Sequence, residues 1–296
     1  MTTDLARAVE HYLGIMDESG QARLRFAEKV WAVQDDIAQS SDAGDDIDAE
    51  QAKDCLATGQ PLFLLARPNM QIEAFADAAH RIAEVVAAEA GLPEEAGAAL
   101  RELDFATLAT QEQLDAALED VDAFVADASE AASAASEGSL TPEMVRFVVA
   151  SALTPLLRRR SAEALAALEA FDWRTWSSGS CPVCGAPAAI GRVLDEGELK
   201  GGRRVLWCSL CDAEWEYDRV RCARCGTRNH SKLHYMMNEE DHGHRVHACE
   251  DCQGYIKVAF ERDLGLAAIP RVEDVATLEL DALAHARGYT PLGNAE

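Results

Sequence analysis

Eight of the nine cysteines in this 296-residue chain stand in four Cys-x-x-Cys pairs in its C-terminal half. Twenty-three residues separate the first pair from the second, ten separate the second from the third, and 23 separate the third from the fourth. Adding 41 to each position in the first two pairs gives the last two pairs, so the chain contains an internal repeat. The pairs are Cys181 and Cys184, Cys208 and Cys211, Cys222 and Cys225, and Cys249 and Cys252.

This repeat predicts two metal sites. A Cys-x-x-Cys turn directs two thiolates at one ion, and two such turns complete a tetrahedral four-sulfur site. The equal spacers favour pairing within each repeat unit, and crossed pairing between units is the alternative. We therefore expect two metal ions per chain. The predicted ligands of the first are Cys181, Cys184, Cys208 and Cys211, and those of the second are Cys222, Cys225, Cys249 and Cys252. Iron and zinc both suit four thiolates, so the sequence does not distinguish them.

Disulfides are the competing interpretation of the cysteine pairs. The first residues lack the basic start and apolar core of a signal peptide. The sequence also has no run of roughly 18 apolar residues, so we expect no membrane span. We therefore expect a cytoplasmic protein, and paired cysteines in that compartment bind metal more often than they form disulfides.

The charge is strongly negative and unevenly distributed. The formal net charge is −25; residues 1–176 hold 33 acidic and 13 basic residues, whereas residues 177–262 hold 13 and 12. An acidic surface repels nucleic acid, so we expect no nucleic-acid partner. A zinc-ribbon protein that binds nucleic acid is a less favoured alternative, because four arginines surround the third cysteine pair. They are Arg219, Arg221, Arg224 and Arg228.

The apolar pattern predicts an α+β fold. Residues 72–86 carry apolar side chains at helical spacing, and similar stripes recur through the alanine-rich first half. Pro155 should kink or divide the helix that starts after Thr141. The strands that we expect are 205–207, 245–247 and 255–260, and one closing helix is expected over 273–287.

Four domains follow from this pattern. They are an α-helical domain at 1–176, a first rubredoxin-like or zinc-ribbon module at 177–215, a second at 216–268, and a C-terminal helix and tail at 269–296.

Signatures of catalysis are missing from the sequence. It has no nucleophile elbow, phosphate loop, dinucleotide fingerprint or His-Glu-x-x-His motif. A four-thiolate site leaves no open coordination position, so we expect no catalytic residues, no cofactor-binding residues and no enzyme activity. Five histidines lie between Cys225 and Cys249, and we interpret them as polar residues of a hairpin rather than ligands.

Several of these motifs together resemble one known family, that of the formate dehydrogenase accessory (formation) protein, FdhE. The resemblance rests on the four cysteine pairs, with Gly185 and Gly226 after the first pair of each unit, and on the motifs that flank them. These motifs are Leu206-Trp207 before the second pair, Glu214-Trp215 after it, Tyr255-Ile-Lys257, Glu273 to Leu278, and Gly288-Tyr289.

The resemblance implies a cytoplasmic, chaperone-like factor for the assembly or maturation of formate dehydrogenase, with that enzyme's catalytic subunit as its partner. A rubredoxin-like iron protein that transfers electrons is the alternative function. A homo-oligomer is possible on either interpretation.

Overall fold

The computed structural model describes residues 3–40, 44, 46–168, 171–196, 202–239 and 241–293. Helices occupy most of the first 166 residues, and the strands follow, as expected for a mixed helix and sheet fold with a helical N-terminal region. The helices before the sheet are α1 Thr3–Ile15, α2 Glu18–Ser40, α3 Ala49–Ala57, α4 Ile72–Glu89, α5 Glu94–Glu102, α6 Gln111–Ala116, α7 Val121–Ala135 and α8 Pro142–Ala166.

Six strands and three helices make up the remainder. The strands are β1 Ile190–Val193, β2 Arg204–Trp207, β3 Glu214–Glu216, β4 Leu233–Met236, β5 His244–Cys249 and β6 Tyr255–Phe260. The helices are α9 Glu261–Leu264, α10 Pro270–Ala276 and α11 Leu278–Ala286. Among the helices of the described ranges, none has both the length and the apolar character that crossing a membrane requires.

The chain forms two compact units. One comprises Met1–Leu24, Asp48–Leu62 and Ala167–Glu296, and the other comprises Arg25–Ile47 and Phe63–Ala166. We call them the sheet unit and the helical unit. Helices α1 and α3 thus belong with the sheet. The four domains drawn from the sequence divide the chain differently, by motif rather than by contact, and stay a prediction.

The helical unit has an apolar core of its own, formed where α4 and α7 pack against α8. Phe75 of α4 meets Phe124 of α7 edge to face, with ring centroids 5.8 Å apart, and Val149 of α8 is fully buried. Helix α8 runs through Pro155 without being divided. The stripe of apolar residues at 72–86 is buried along α4, as the spacing predicts.

The sheet unit contains one continuous six-stranded sheet, with strand order β3-β2-β1-β6-β5-β4. Each repeat unit supplies three antiparallel strands. The two halves join where β1 pairs with β6 in parallel, with Ile190 opposite Lys257 and Val193 opposite Phe260. The three strands that the sequence predicts are present as β2, β5 and β6. Their merger into a single sheet was not predicted.

The C-terminal segment corrects one expectation. Two short helices, α10 and α11, replace the single helix predicted over 273–287. Thr277 separates them: its backbone leaves helical geometry, and its hydroxyl donates to the Glu273 carbonyl at 2.6 Å. The break turns Leu278 outward, where it is 43% exposed, whereas Leu280 packs under the sheet.

Candidate metal centres

The structure gathers the eight paired cysteines into two groups of four, one in each repeat unit. Within each group all sulfur atoms lie within 4.8 Å of one another. The Sγ–Sγ distances are 3.5 Å for Cys181–Cys211 and for Cys184–Cys208. They are 3.8 Å for Cys222–Cys252 and 3.7 Å for Cys225–Cys249. A tetrahedron with metal–sulfur bonds of about 2.3 Å has edges of about 3.8 Å, so each group could hold one ion.

The grouping agrees with the predicted pairing within repeat units, and all nine cysteines are free of disulfide bonds. Four thiolates accept both iron and zinc, so the geometry leaves the metal open. The structure gives the positions of the eight sulfur atoms, and the role of these residues as metal ligands stays a prediction.

Each cysteine pair is held in a tight turn. After the first pair of each repeat unit, Gly185 has φ +82° and Gly226 has φ +74°. Their N–H groups donate to the carbonyls of Cys181 and Cys222 at 3.0 and 3.1 Å. These glycines therefore adopt the left-handed conformation that suits a residue without a Cβ atom.

The second pair of each unit uses the same turn without glycine. Asp212 has φ +66° and Gln253 has φ +55°. The sequence gives no signal for these two positions. Backbone amides also point at the sulfurs: Val183 N donates to Cys181 Sγ at 3.4 Å, and Arg224 N donates to Cys222 Sγ at 3.3 Å.

Crowding of the four sulfurs governs their protonation in the first group. Burial raises the pKa of Cys181 well above its ordinary value. Hydrogen bonds from the other three cysteines hold the pKa of Cys208 well below its ordinary value. Thiols so close together resist joint ionisation, and a bound cation would remove this cost while releasing protons.

The two groups differ in exposure. All four cysteines of the first group are buried, whereas Cys225 of the second is exposed. Two tryptophans lie beside the second pair of the first group. Trp215 is 1% exposed, and the Trp207 indole donates to Asp212 Oδ1 at 2.7 Å. Solvent therefore reaches the second group more readily than the first.

The five histidines between Cys225 and Cys249 remain outside both groups. Three of them, His230, His234 and His242, are exposed, as expected of polar hairpin residues. Burial, with the positive charges of nearby arginines, lowers the pKa of His247 to about 3. His244 contradicts the hairpin interpretation, because its side chain is only 2% exposed.

His244 belongs to a buried polar cluster that the sequence analysis missed. Its Nδ1 lies 2.7 Å from Asp241 Oδ2 and its Nε2 lies 2.8 Å from Glu273 Oε2. The Tyr12 hydroxyl donates to the same Glu273 oxygen and lies 3.2 Å from His244 Nε2. Burial lowers the pKa of His244, but hydrogen bonds and charges of Asp241 and Glu273 outweigh it and raise the pKa to about 9. Tyr12 is 232 residues away, so spacing could not reveal it.

A second buried cation connects the sheet to the C-terminal helices. Lys257 of β6 is 3% exposed, and its Nζ lies 2.9 Å from Asp274 Oδ1 and 2.7 Å from Asp281 Oδ2. The Tyr255 hydroxyl donates to the other Asp281 oxygen at 2.7 Å. The sequence motif Tyr255-Ile-Lys257 and the tail motif that begins at Glu273 are therefore in direct contact.

Comparison with family models identifies the region that carries both groups. Residues 180–219 match the model described as FdhE, central domain, and residues 220–295 match FdhE, C-terminal domain. Residues 180–295 are therefore similar to both FdhE domains. The predicted resemblance is confirmed, and it rests on the part of the chain that holds all eight paired cysteines.

Individual relatives agree with this assignment. The Protein FdhE homolog of Aquifex aeolicus is 32% identical over 153 residues, which is 52% of each chain. The homolog of Stutzerimonas stutzeri is 41% identical over 114 residues, covering 37% of this chain and 35% of that protein. Protein FdhE of Escherichia coli is 35% identical over 111 residues, covering 37% and 34%. The matches thus span about half of the first relative's length and about a third of the others.

A solved structure shares the fold over nearly the whole chain. The crystal structure of the FdhE protein from Pseudomonas aeruginosa has a TM-score of 0.54 and 22% identity to this chain. The alignment covers 97% of this chain and 93% of that one. At this identity the likeness shows the fold, including the helical N-terminal region that the family models do not match.

Proposed function

We propose that this chain is a cytoplasmic accessory factor needed for the assembly or maturation of active formate dehydrogenase. In this role it binds the catalytic subunit of that enzyme in a chaperone-like manner and catalyses no reaction itself. The observation that carries the proposal is the match of residues 180–295 to both FdhE domains, together with two four-cysteine groups on one shared sheet.

We also infer that each cysteine group holds one iron or zinc ion. The sulfur spacing fits a tetrahedral ion, and four thiolates would fill its coordination sphere. A filled sphere gives a substrate no position on the metal, which supports a structural role. The ion would fix the turns of each repeat unit and so keep the sheet rigid as a surface for a partner.

A deletion strain tests the function. Removing the gene from its host should abolish formate-dependent dye reduction while the message for the catalytic subunit stays present. The wild-type gene should restore activity, and variants with Cys184→Ser or Cys225→Ser should restore less. Cys55→Ser is the matched control, since Cys55 belongs to neither group.

Purification of the tagged protein tests the partner. The catalytic subunit of formate dehydrogenase should co-purify from cells grown with formate, and metal analysis of the same sample should give two ions per chain. Normal formate dehydrogenase activity in the deletion strain, with no catalytic subunit co-purifying, would refute the proposal.

Electron transfer is the second candidate, favoured by one observation. Cys225 of the second group is exposed, and an exposed thiolate ligand would offer a short path for an electron to a partner. This function requires iron with a reversible one-electron couple. Voltammetry of protein purified without oxygen would detect it, and a chain that holds only zinc would exclude it.

A further inference from the structure

A cleft of about 590 Å³, its open mouth included, lies on the sheet unit beside the second cysteine group. Four arginines line it: Arg204, Arg219, Arg221 and Arg224. We call it the arginine cleft. No aspartate or glutamate is among its lining residues in the described part of the chain, although the protein carries a net charge of −25.

Arg204 is the most buried of the four arginines. Its side chain comes from β2 and is 2% exposed. One nitrogen, Nη1, contacts the carbonyl oxygens of Asp218, Arg219 and Arg221 at 3.2–3.5 Å. Its Nε and Nη2 are buried and have no hydrogen-bond partner among the described residues. A buried guanidinium with two unused donor nitrogens is costly unless an anion accepts from them.

The other three arginines also have no carboxylate partner among the described residues. Arg219 donates to the Gly202 carbonyl at 3.5 Å and Arg221 to the Gly226 carbonyl at 3.0 Å. Arg224 donates to the carbonyls of Tyr255 and Ala188. The fourth arginine that the sequence analysis noted, Arg228, does pair with an acid, Asp218, at 3.0 Å. Backbone carbonyls hold the three guanidinium groups in place without neutralising them.

These arginines have one alternative role, as counter-charges to the thiolates of the second group. Burial lowers the pKa of Arg204 and of Arg224, and the charge of Cys222 partly offsets this, so these two arginines do interact with the second group. None of the four guanidinium groups, however, donates to a cysteine sulfur in the described residues. Arg219 is also exposed and lies three residues before Cys222. The positive charge of Arg219 is therefore available to a ligand from outside.

The rest of the arginine cleft comprises Cys222 and Cys249 of the second group, two histidines, and several apolar or aromatic side chains. Tyr235, His247 and Ile256 stand opposite one another on β4, β5 and β6, so their side chains share one face of the sheet. Tyr235 is 68% exposed, and Val220, which also lines the cleft, is 49% exposed. A ligand that fills the cleft therefore meets both cations and a ring-bearing surface.

We propose that the arginine cleft binds a small phosphorylated molecule, with its phosphate on the arginines and an apolar or aromatic part on Tyr235 and Ile256. Guanidinium groups match phosphate oxygens in pairs of hydrogen bonds. Four cations suit a phosphate dianion better than a single carboxylate. The cleft, with its open mouth, has room for more than one phosphate. This inference does not depend on the proposed function.

Titration of the metal-loaded full chain with phenyl phosphate tests the proposal. Phenyl phosphate should bind saturably with one site per chain by calorimetry. The amide resonances that shift should lie in residues 219–224 and 233–235. Inorganic phosphate should bind more weakly because it lacks the ring, and phenol should not bind. In Tyr235→Ala, phenyl phosphate should bind no more tightly than inorganic phosphate, whose affinity should equal that for the wild type. This result would show that the phenyl ring contacts Tyr235 of β4.

Variants locate the phosphate. Replacing both surface arginines, Arg219→Gln with Arg221→Gln, should weaken phenyl phosphate at least tenfold while the metal content stays at the wild-type value. Arg262→Gln is the matched control, since this exposed arginine pairs with Asp195 away from the cleft. This variant should bind phenyl phosphate as tightly as the wild type does. No saturable binding up to millimolar ligand, or equal affinity in the double variant, would overturn the proposal. Tighter binding of tri-glutamate than of phenyl phosphate would overturn it too, in favour of an acidic peptide.

Discussion

His244 sits between two carboxylates inside the sheet unit, so its proton is part of the folded structure. Its imidazole connects Asp241, next to β5, with Glu273 of α10, and Tyr12 of α1 completes the cluster. Each group would be expensive to bury alone, and together they satisfy one another. The cluster thereby fixes three distant parts of the chain in one arrangement.

This arrangement predicts a pH dependence of stability. The folded pKa of His244 is about 9, above the value of about 6.5 for an unfolded histidine. The proton therefore stabilises the folded state fully below pH 6.5, and the stabilisation disappears as the pH rises through 9. The full effect is on the order of 3 kcal/mol. Denaturant unfolding of wild type and His244→Gln at pH 6, 7.5 and 9.5 measures it. The difference in the free energy of unfolding between the two proteins should shrink as the pH rises.

The matched control for this experiment is His242→Gln, because His242 is exposed and two residues away. It should follow the wild type at every pH. Comparing variants at equal pH also cancels the titration of the cysteines, which all three proteins share. A gap between wild type and His244→Gln that widens towards pH 9.5 would contradict the assigned protonation.

Gly226 allows a second test with a single residue. An alanine there would have to keep φ near +74°, and its Cβ would lie 3.1 Å from Arg221 Nη2. We expect Gly226→Ala to destabilise the sheet unit by about 1–2 kcal/mol. Thermal unfolding monitored by tryptophan fluorescence, at constant metal, measures the change.

The same substitution in α1 is the control, because the Cβ of Gly14→Ala would meet nothing within 4 Å. It should cause no loss of stability. Equal effects of the two substitutions would show that the turn after Cys225 does not need glycine.

At the scale of elements, cysteine spacing predicts the two groups because a metal-binding turn is local chemistry. The strands at 205–207, 245–247 and 255–260 were also predictable from their β-branched and aromatic residues. The parallel pairing of β1 with β6 was not, since residues about 67 positions apart leave no periodic signal of their partner. The break at Thr277 was missed because the acidic and apolar pattern continues across it.

The unequal exposure of the two groups predicts unequal metal release. Cys225 is exposed, whereas the first group is buried throughout. A chelator should therefore remove the ion of the second group first, giving two kinetic phases of equal size. Release can be followed with a coloured zinc indicator on zinc-loaded protein.

Variants assign the two phases. Cys225→Ser should lack the fast phase, Cys184→Ser should lack the slow phase, and Cys55→Ser should keep both. Release in a single phase, or a fast phase that survives in Cys225→Ser, would show that exposure does not control access to the ions.

At the scale of the whole molecule, the uneven distribution of charge decides where an anionic ligand is repelled least. The acidic residues concentrate in 1–176, whereas residues 177–262 are close to neutral. Residues 177–262 therefore offer the less repulsive surface to an anionic ligand, and the four arginines of the cleft lie in this segment. Nucleic acid carries far more negative charge than a small phosphate, and the protein's net charge opposes it. Gel-shift assays at physiological salt should show weak, sequence-independent DNA binding, and tight sequence-dependent binding would revive the nucleic-acid alternative.

The division into two compact units predicts how the molecule responds to loss of one metal ion. Metal binding supplies much of the folding free energy of a small four-cysteine module. Since β1 and β6 are paired, Cys184→Ser should weaken protection from hydrogen exchange in both halves of the sheet. Helices α4, α7 and α8 should keep theirs, because Phe75, Phe124 and Val149 are buried within the helical unit. Hydrogen exchange read by mass spectrometry resolves the two regions, and Cys55→Ser should match the wild type in both. Global loss of helical protection in Cys184→Ser would show that the helical unit depends on the metal-bound sheet for its stability.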